Sequence, residues 1–221
     1  CHGNEFIPSA LSNGAVAILT DLYDPCIKNS AQIIHPNVAK IEPLIAKTFF
    51  NHPSEKLLTI GVTGTNGKTT TAYLIKHILD SLKLPCGLIG TIEYIIGKQR
   101  HPAIRTTPDC VNNQRLLRDM LQNHCLSAVM EVSSHALEQG RTEGIEYDIA
   151  IFTNLSQDHL DYHLDMNSYF SAKARLFSNL DPSSKKKSSS LFPSAVINAD
   201  SQWAAKIYPH CKHVHTLSYG M

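Results

Sequence analysis

From residue 57 onward, short apolar runs alternate with longer amphipathic stretches. Residues 57–62 form an apolar run that reads as a strand, followed by a Gly-rich turn and a stretch, 68–82, in which Leu74, Ile75, Ile78 and Leu79 recur at helical spacing. Strands are also predicted over 87–90, 93–96, 127–131, 147–152 and 195–198, and helices over 111–123, 167–179 and 201–208, with 133–139 opening directly out of the strand at 127–131. Strands alternating with helices need crossover connections, so the pattern predicts an α/β fold built on a doubly wound, mostly parallel sheet. Ligands of such sheets sit beyond the C-terminal strand ends, and the polar motifs of this chain fall there. Upstream, apolar runs at 15–19 and 32–35 and a periodic stretch at 38–50 read as the remnant of a small α/β unit. It ends in a linker at 51–56, which divides the chain into 1–52 and 53–221.

The charge balance narrows the function. Among 221 residues, 20 Lys and Arg stand against 19 Asp and Glu, a net charge of +1, which argues against a charge-driven nucleic-acid binder or an acidic tail. Hydrophobic residues make up 43% and charged residues 18%, enough for a packed core and too apolar for wholesale disorder. No apolar stretch approaches the roughly 18 residues of a membrane helix, and no basic-then-apolar start suggests a signal peptide. The chain reads as soluble and intracellular, with no membrane partner. Six cysteines without a CxxC pair read as scattered reduced thiols. Lys185, Lys186 and Lys187, flanked by serines, read as a solvated loop rather than a nucleic-acid patch. The chain begins at Cys1 without an initiator Met, and motif-like sequence runs to Met221, so neither end is expected to be a domain boundary.

Four motifs carry chemistry. Gly64-Thr65-Asn66-Gly67-Lys68-Thr69-Thr70 follows an apolar strand and opens a helix; its amides can cradle phosphates, Lys68 can meet the β/γ-phosphates and the Thr69 hydroxyl a Mg²⁺. A strict P-loop has Gly five residues before Gly67, where this chain has Val62, so the loop is a variant with Gly64 supplying the turn. Glu131, at the end of a strand beside that loop, is a hard oxygen ligand placed for Mg²⁺, although alone it would read as a capping acid. The stretch 153–163 carries His159 and His163 at i and i+4, but position 160 is Leu, so the general-base Glu of an HExxH zinc site is missing. His159 is left as a ligand or orienting group. Lys173, on the helix that follows, reads from composition alone as a solvated surface lysine.

Together, GTNGKTT, Thr106-Thr107-Pro108, EVSSHALEQGR (131–141) and TNLSQDHLDYH (153–163) resemble the ATP-dependent Mur ligases of peptidoglycan synthesis. The last two strings resemble most closely the branch that adds the third residue, a diamino acid, to UDP-N-acetylmuramoyl-L-alanyl-D-glutamate through an acyl phosphate. The resemblance implies ATP binding by Gly64, Thr65, Asn66, Gly67, Lys68, Thr69 and Thr70, and two Mg²⁺ sites. Thr69 and Glu131 would hold one; Glu131, His159 and a CO₂-derived carbamate on Lys173, 14 residues after His159, would hold the other. Lys68, His159 and carbamylated Lys173 would be the catalytic set. Substrate contacts would fall to Thr106, Thr107, Ser133, Gln139 and Arg141, with Arg105 standing where the family often has Asn. The resemblance further implies that 1–52 is the end of a UDP-binding N-terminal domain and 53–221 an ATP-binding central domain, incomplete at its C-terminus. The protein would be a monomer in the cytoplasm, and the 221 residues alone would not ligate. A folylpolyglutamate synthase, also of Mur type, and a non-catalytic nucleotide-binding module stay open as alternatives.

Overall fold

The computed structural model describes residues 3–183 and 192–221; the lysine run at 185–187 lies outside them. After a 3₁₀ turn and helix α1 (Ile7–Ser12), strands β1 (Ala17–Thr20) and β2 (Ala31–Ile34) pair in parallel as a sheet of their own. Helix α2 (Val38–Phe49) follows, N-capped by Asn37, whose side chain accepts from the Lys40 amide. Residues 51–56, expected as a linker, are packed instead. Asn51 and His52 take positive φ, Pro53–Lys56 form a 3₁₀ turn, and Ser54 is fully buried with its hydroxyl accepting from the Glu146 amide.

The large sheet has the order β10-β9-β8-β3-β7-β4-β5-β6. Its strands are β3 (Leu58–Thr63), β4 (Cys86–Ile89), β5 (Glu93–Ile96), β6 (Gln99–Pro102), β7 (Ser127–Glu131), β8 (Ile149–Phe152), β9 (Ser194–Asn198) and β10 (His215–Tyr219). All pair in parallel except β5 and β6, which run antiparallel at one edge. Alternation along the strands feeds two cores. Ile60, Val62, Leu88, Val129 and Ile151 pack with Ala72 and Leu79 of α3 (Lys68–Ser81). Ile89, Met130 and Phe152 pack with Leu117 and Met120 of α4 (Cys110–Gln122), Leu137 of α5 (Ser134–Glu138), and Tyr169, Phe170 and Phe177 of α7 (Met166–Ser178). Helices therefore cover both faces, as the doubly wound pattern predicts.

The structure departs from the periodicity in particular places. Leu74 and Ile78 of α3 are 58% and 55% exposed, so only part of its apolar arc meets the sheet. The stretch 201–208 is helical only over α8 (Ala204–Ile207), which passes into a 3₁₀ turn. The strands β6 and β10, helix α1 and the one-turn helix α6 (Leu160–His163) were not predicted. Among the described residues Cys26, Cys86, Cys110, Cys125 and Cys211 are free thiols, and no helix is long and apolar enough to cross a membrane.

Candidate functional site

Strand order reverses around β3, which has β7 on one side and β8 on the other, with Val62 level with Glu131 and Ile151. The three C-terminal ends thus deliver the loop 64–67, the turn into α5 and the segment after β8 to one place, where doubly wound sheets bind ligands.

The Gly-rich loop is held by its neighbours. The Thr65 amide donates to the Asn154 carbonyl (3.0 Å), the Asn66 amide to Asn154 Oδ1 (3.0 Å), and Thr153 Oγ1 donates to the Asn66 carbonyl (2.7 Å). Gly64, at φ 150°, lies so near Thr153 that a Cβ would collide with its hydroxyl, and Gly67 caps α3 in the left-handed region at φ 84°. Lys68 Nζ donates to the Gly64 and Thr65 carbonyls, both at 2.9 Å. Its burial pushes its pKa down, opposed by the negative charges of Glu131 and Asp158.

Glu131 is fully buried, and its carboxylate accepts three hydrogen bonds. Its Oε2 accepts from Thr69 Oγ1 (2.8 Å) and Thr91 Oγ1 (2.9 Å), and its Oε1 accepts from the Thr91 amide (2.9 Å). A Cβ at Gly90 would stand 2.5 Å from Oε1, so that glycine makes room for the carboxylate. Thr91 also meets Thr106, hydroxyl to hydroxyl at 3.1 Å. With one proton on each hydroxyl, the charged carboxylate takes that of Thr91, and Thr106 donates to Thr91. The chain Thr106–Thr91–Glu131–Thr69 thus joins the Thr pair to the Gly-rich loop. Sequence reading missed Thr91, though its place just after a strand end beside the loop was a usable signal.

The remaining predicted residues line the same edge. Thr107 is buried, donating from Oγ1 to the Glu131 carbonyl (2.8 Å) and accepting from the Ser133 amide (3.1 Å). Ser133 caps α5 by accepting from the Ala136 amide. Arg141 donates to Gln139 Oε1 through Nε (3.0 Å) and to the Thr107 carbonyl through Nη1 (3.2 Å). Its pKa is lowered by burial and then by the positive charge of Arg105. Two guanidiniums sharing a neighbourhood favour an anionic ligand. A cavity beside Arg105 is lined by Tyr94, Ile96, Ile104, Arg115 and Leu116.

His159 is half exposed, with Nε2 3.5 Å from Asp158 Oδ2 and its ring against His135 (4.9 Å) and Tyr169 (6.1 Å). His163 is buried, and burial lowers its pKa, opposed by Glu138. Lys173 is not the surface residue that composition suggests. It is 1% exposed, its Nζ donates to the Gly64 carbonyl (2.9 Å) and lies 4.5 Å from the Tyr169 ring centroid. Burial pushes its pKa well below the ordinary lysine value, and Lys68 pushes it further in the same direction. Tyr169 thus touches both His159 and Lys173. Among the described residues no three His, Cys, Asp or Glu side chains cluster to hold a metal. The Glu131 carboxylate and the Thr69 and Thr91 hydroxyls bonded to it are hard oxygen donors of the kind Mg²⁺ takes.

Comparison with known proteins identifies the family. The model of the Mur ligase middle domain matches residues 62–221. A UDP-N-acetylmuramoyl-L-alanyl-D-glutamate–2,6-diaminopimelate ligase of Chlamydia caviae is 38% identical over 219 residues, 99% of this chain and 43% of the relative. The ligase of the same name from Geobacter sulfurreducens is 40% identical over 222 residues, 99% of this chain and 42% of the relative. A solved structure of a ligase of that name superposes with a TM-score of 0.79 at 31% identity, covering 98% of this chain and 42% of that one. The chain thus spans about two fifths of the relatives it matches, and by its matched residues it belongs to the Mur ligase family, with 62–221 as a Mur ligase middle domain.

Proposed function

We propose that this chain is the nucleotide-binding part of an ATP-dependent ligase that joins a diamino acid to the D-Glu carboxylate of UDP-N-acetylmuramoyl-L-alanyl-D-glutamate. In this reading 1–52 is the end of a UDP-binding domain and 53–221 the ATP-binding domain. The observation that carries it is the convergence of Lys68 and Lys173 on one carbonyl, that of Gly64, beside a buried Glu131 bonded to Thr69. A simple strand-to-helix turn has no use for two lysines on one carbonyl, one of them buried.

In the proposed reaction an oxygen of the substrate carboxylate bonds to the γ-phosphorus of ATP, ADP leaves, and the incoming amine displaces phosphate from the acyl carbon. Mg²⁺ would neutralise charge gathering on the phosphoryl oxygens, with Thr69, Glu131, His159 and Lys173 as the residues to hold it. Lys68, released from the Gly64 and Thr65 carbonyls, turns its ammonium to the phosphates, while the amides of 64–70 and the start of α3 receive their oxygens. Arg141, braced by Gln139, and Arg105 hold the anionic substrate beside Thr106, Thr107 and Ser133.

Lys173 deprotonates easily because it is buried, and the neutral amine attacks CO₂, forming an N–C bond and losing a proton to give an anionic carbamate. That replaces a second ammonium beside Lys68 with a partner of opposite charge. Titration of the chain with Mg²⁺-ADP, UDP-N-acetylmuramoyl-L-alanyl-D-glutamate and dihydropteroate tests the reading. Binding of the first two, with ADP binding abolished in Lys68→Ala, is expected. Binding of dihydropteroate instead of the UDP-sugar dipeptide would reassign the substrate, and absence of nucleotide binding would remove the ligase reading. In ¹³C-bicarbonate, wild type is expected to show a carbamate resonance that Lys173→Met lacks.

A further inference from the structure

Helix α6 is a single turn between two non-glycine residues of positive φ, His159 at 52° and Leu164 at 64°. Non-glycine residues at positive φ cost about 1–3 kcal/mol each. Leu164 is exposed, and within the segment the shape is held by backbone bonds from the Tyr162 and His163 amides to the His159 carbonyl and from the Asp165 amide to the His163 carbonyl (2.7 Å). The buried side chain that joins the segment to α5 is His163. Its side chain is fully enclosed, Nε2 stands 2.8 Å from Ser134 Oγ, and Nδ1 stands 3.1 Å from Glu138 Oε2, close but out of line for a full hydrogen bond. Ser134 and Glu138 are the first and last residues of α5, so the imidazole lies across that helix from end to end. The His163 ring also packs on Tyr169 (5.1 Å) and His135 (5.3 Å).

Two functional groups hang from this joint. His159 begins the turn, and the ring of His135, between Ser134 and Glu138, contacts it. Tyr162 stacks on His135 at 4.2 Å and accepts from Gln139 Nε2 at 3.0 Å, and Gln139 in turn receives Arg141. We propose that His163 is a positioning residue that pins α6 to α5 and so holds His159 in register with the Gln139–Arg141 pair. This rests on the proposed function only in giving those two groups metal and substrate roles. Histidines and carboxylates behind a metal ligand typically change metal affinity about 10–100-fold when removed.

The test uses His163→Leu, which fills the space without a polar atom, and His163→Gln, whose amide can still meet Ser134. Amide hydrogen exchange and Mn²⁺ binding in the presence of ADP, followed by electron paramagnetic resonance, are read on the whole chain. In His163→Leu, exchange over 157–162 is expected to rise at least about tenfold with β3 and β7 unchanged, and Mn²⁺ affinity to fall about tenfold with ADP affinity unchanged. His163→Gln is expected to recover most of both. Unchanged exchange over 157–162 in His163→Leu would overturn the pin, and so would equal loosening of α6 and the central strands in both variants. If wild type binds neither Mn²⁺ nor ADP, the proposed function fails, while the exchange measurement still decides the pin.

Discussion

The Gly64 carbonyl receives two lysines, and the cost of that arrangement is measurable. Lys173 has its pKa lowered by burial first and by Lys68 second. For a base with a lowered folded value, the unfolded chain binds more protons between that value and 10.5, so stability rises with pH across the window. Replacing Lys173 by Met in CO₂-free buffer is therefore expected to stabilise the chain at pH 7, on the order of 1 kcal/mol, with a smaller gain at pH 10. Urea unfolding at both pH values checks this; an equal gain at both would mean that packing, and not the buried charge, sets the effect. Thr91 poses a complementary case, since Thr91→Val keeps its shape and its amide bond to Glu131 but removes the hydroxyl between Glu131 and Thr106. A loss of about 1 kcal/mol is expected in the same experiment, because the carboxylate keeps its other partners.

At the level of elements, α3 separates what spacing shows from what it hides. Leu79 is 8% exposed and Ile78 is 55% exposed, although both lie on the apolar arc. Leu79→Ala is expected to cost about 2–3 kcal/mol and Ile78→Ala under about 0.5 kcal/mol, measured by chemical denaturation. Equal costs would mean that Ile78 is covered in solution. The central strands β3, β4, β7 and β8 were legible because burial on both faces leaves near-continuous apolar runs, and the Gly64–Thr70 motif marked the β3–α3 turn. The strands β6 and β10 were not, because Gln99–Pro102 is wholly exposed and His215–Tyr219 nearly so, leaving no hydrophobic period to read. Pro102 is tolerated at the end of an edge strand. Burial of Lys173 was hidden for a different reason: it depends on Tyr169, Gly64 and Lys68 meeting in three dimensions. The resemblance carried that residue to the site, and its composition argued the other way.

Across the whole molecule, the small sheet reaches the large one through α2, and Lys47 near the end of α2 is the polar part of the joint. Its Nζ lies 2.6 Å from Glu146 Oε1 and 2.9 Å from Glu55 Oε1, and Glu55 also receives His52. The hydrogen bond from Lys47 is the largest influence holding the Glu55 carboxyl down, to about 2 against an ordinary 4.5, with burial opposing and His52 assisting. A carboxyl depressed in the folded state adds stability above its unfolded value and loses it as pH falls through the folded one. The joint is therefore expected to loosen as pH falls from about 4.5 toward 2, by less than about 1 kcal/mol because Glu55 is partly exposed and screened. Lys47→Met keeps the apolar stem and removes the ammonium. It is expected to lower the protection of the amides over 51–56 at pH 7, as exchange relative to the unfolded chain at the same pH, to the level wild type reaches only in acid, and to flatten the dependence of that protection on pH. If protection over 51–56 in Lys47→Met follows the wild-type pH curve, then the buried Ser54 and the α2–α4 packing hold the joint and the ion pair does not.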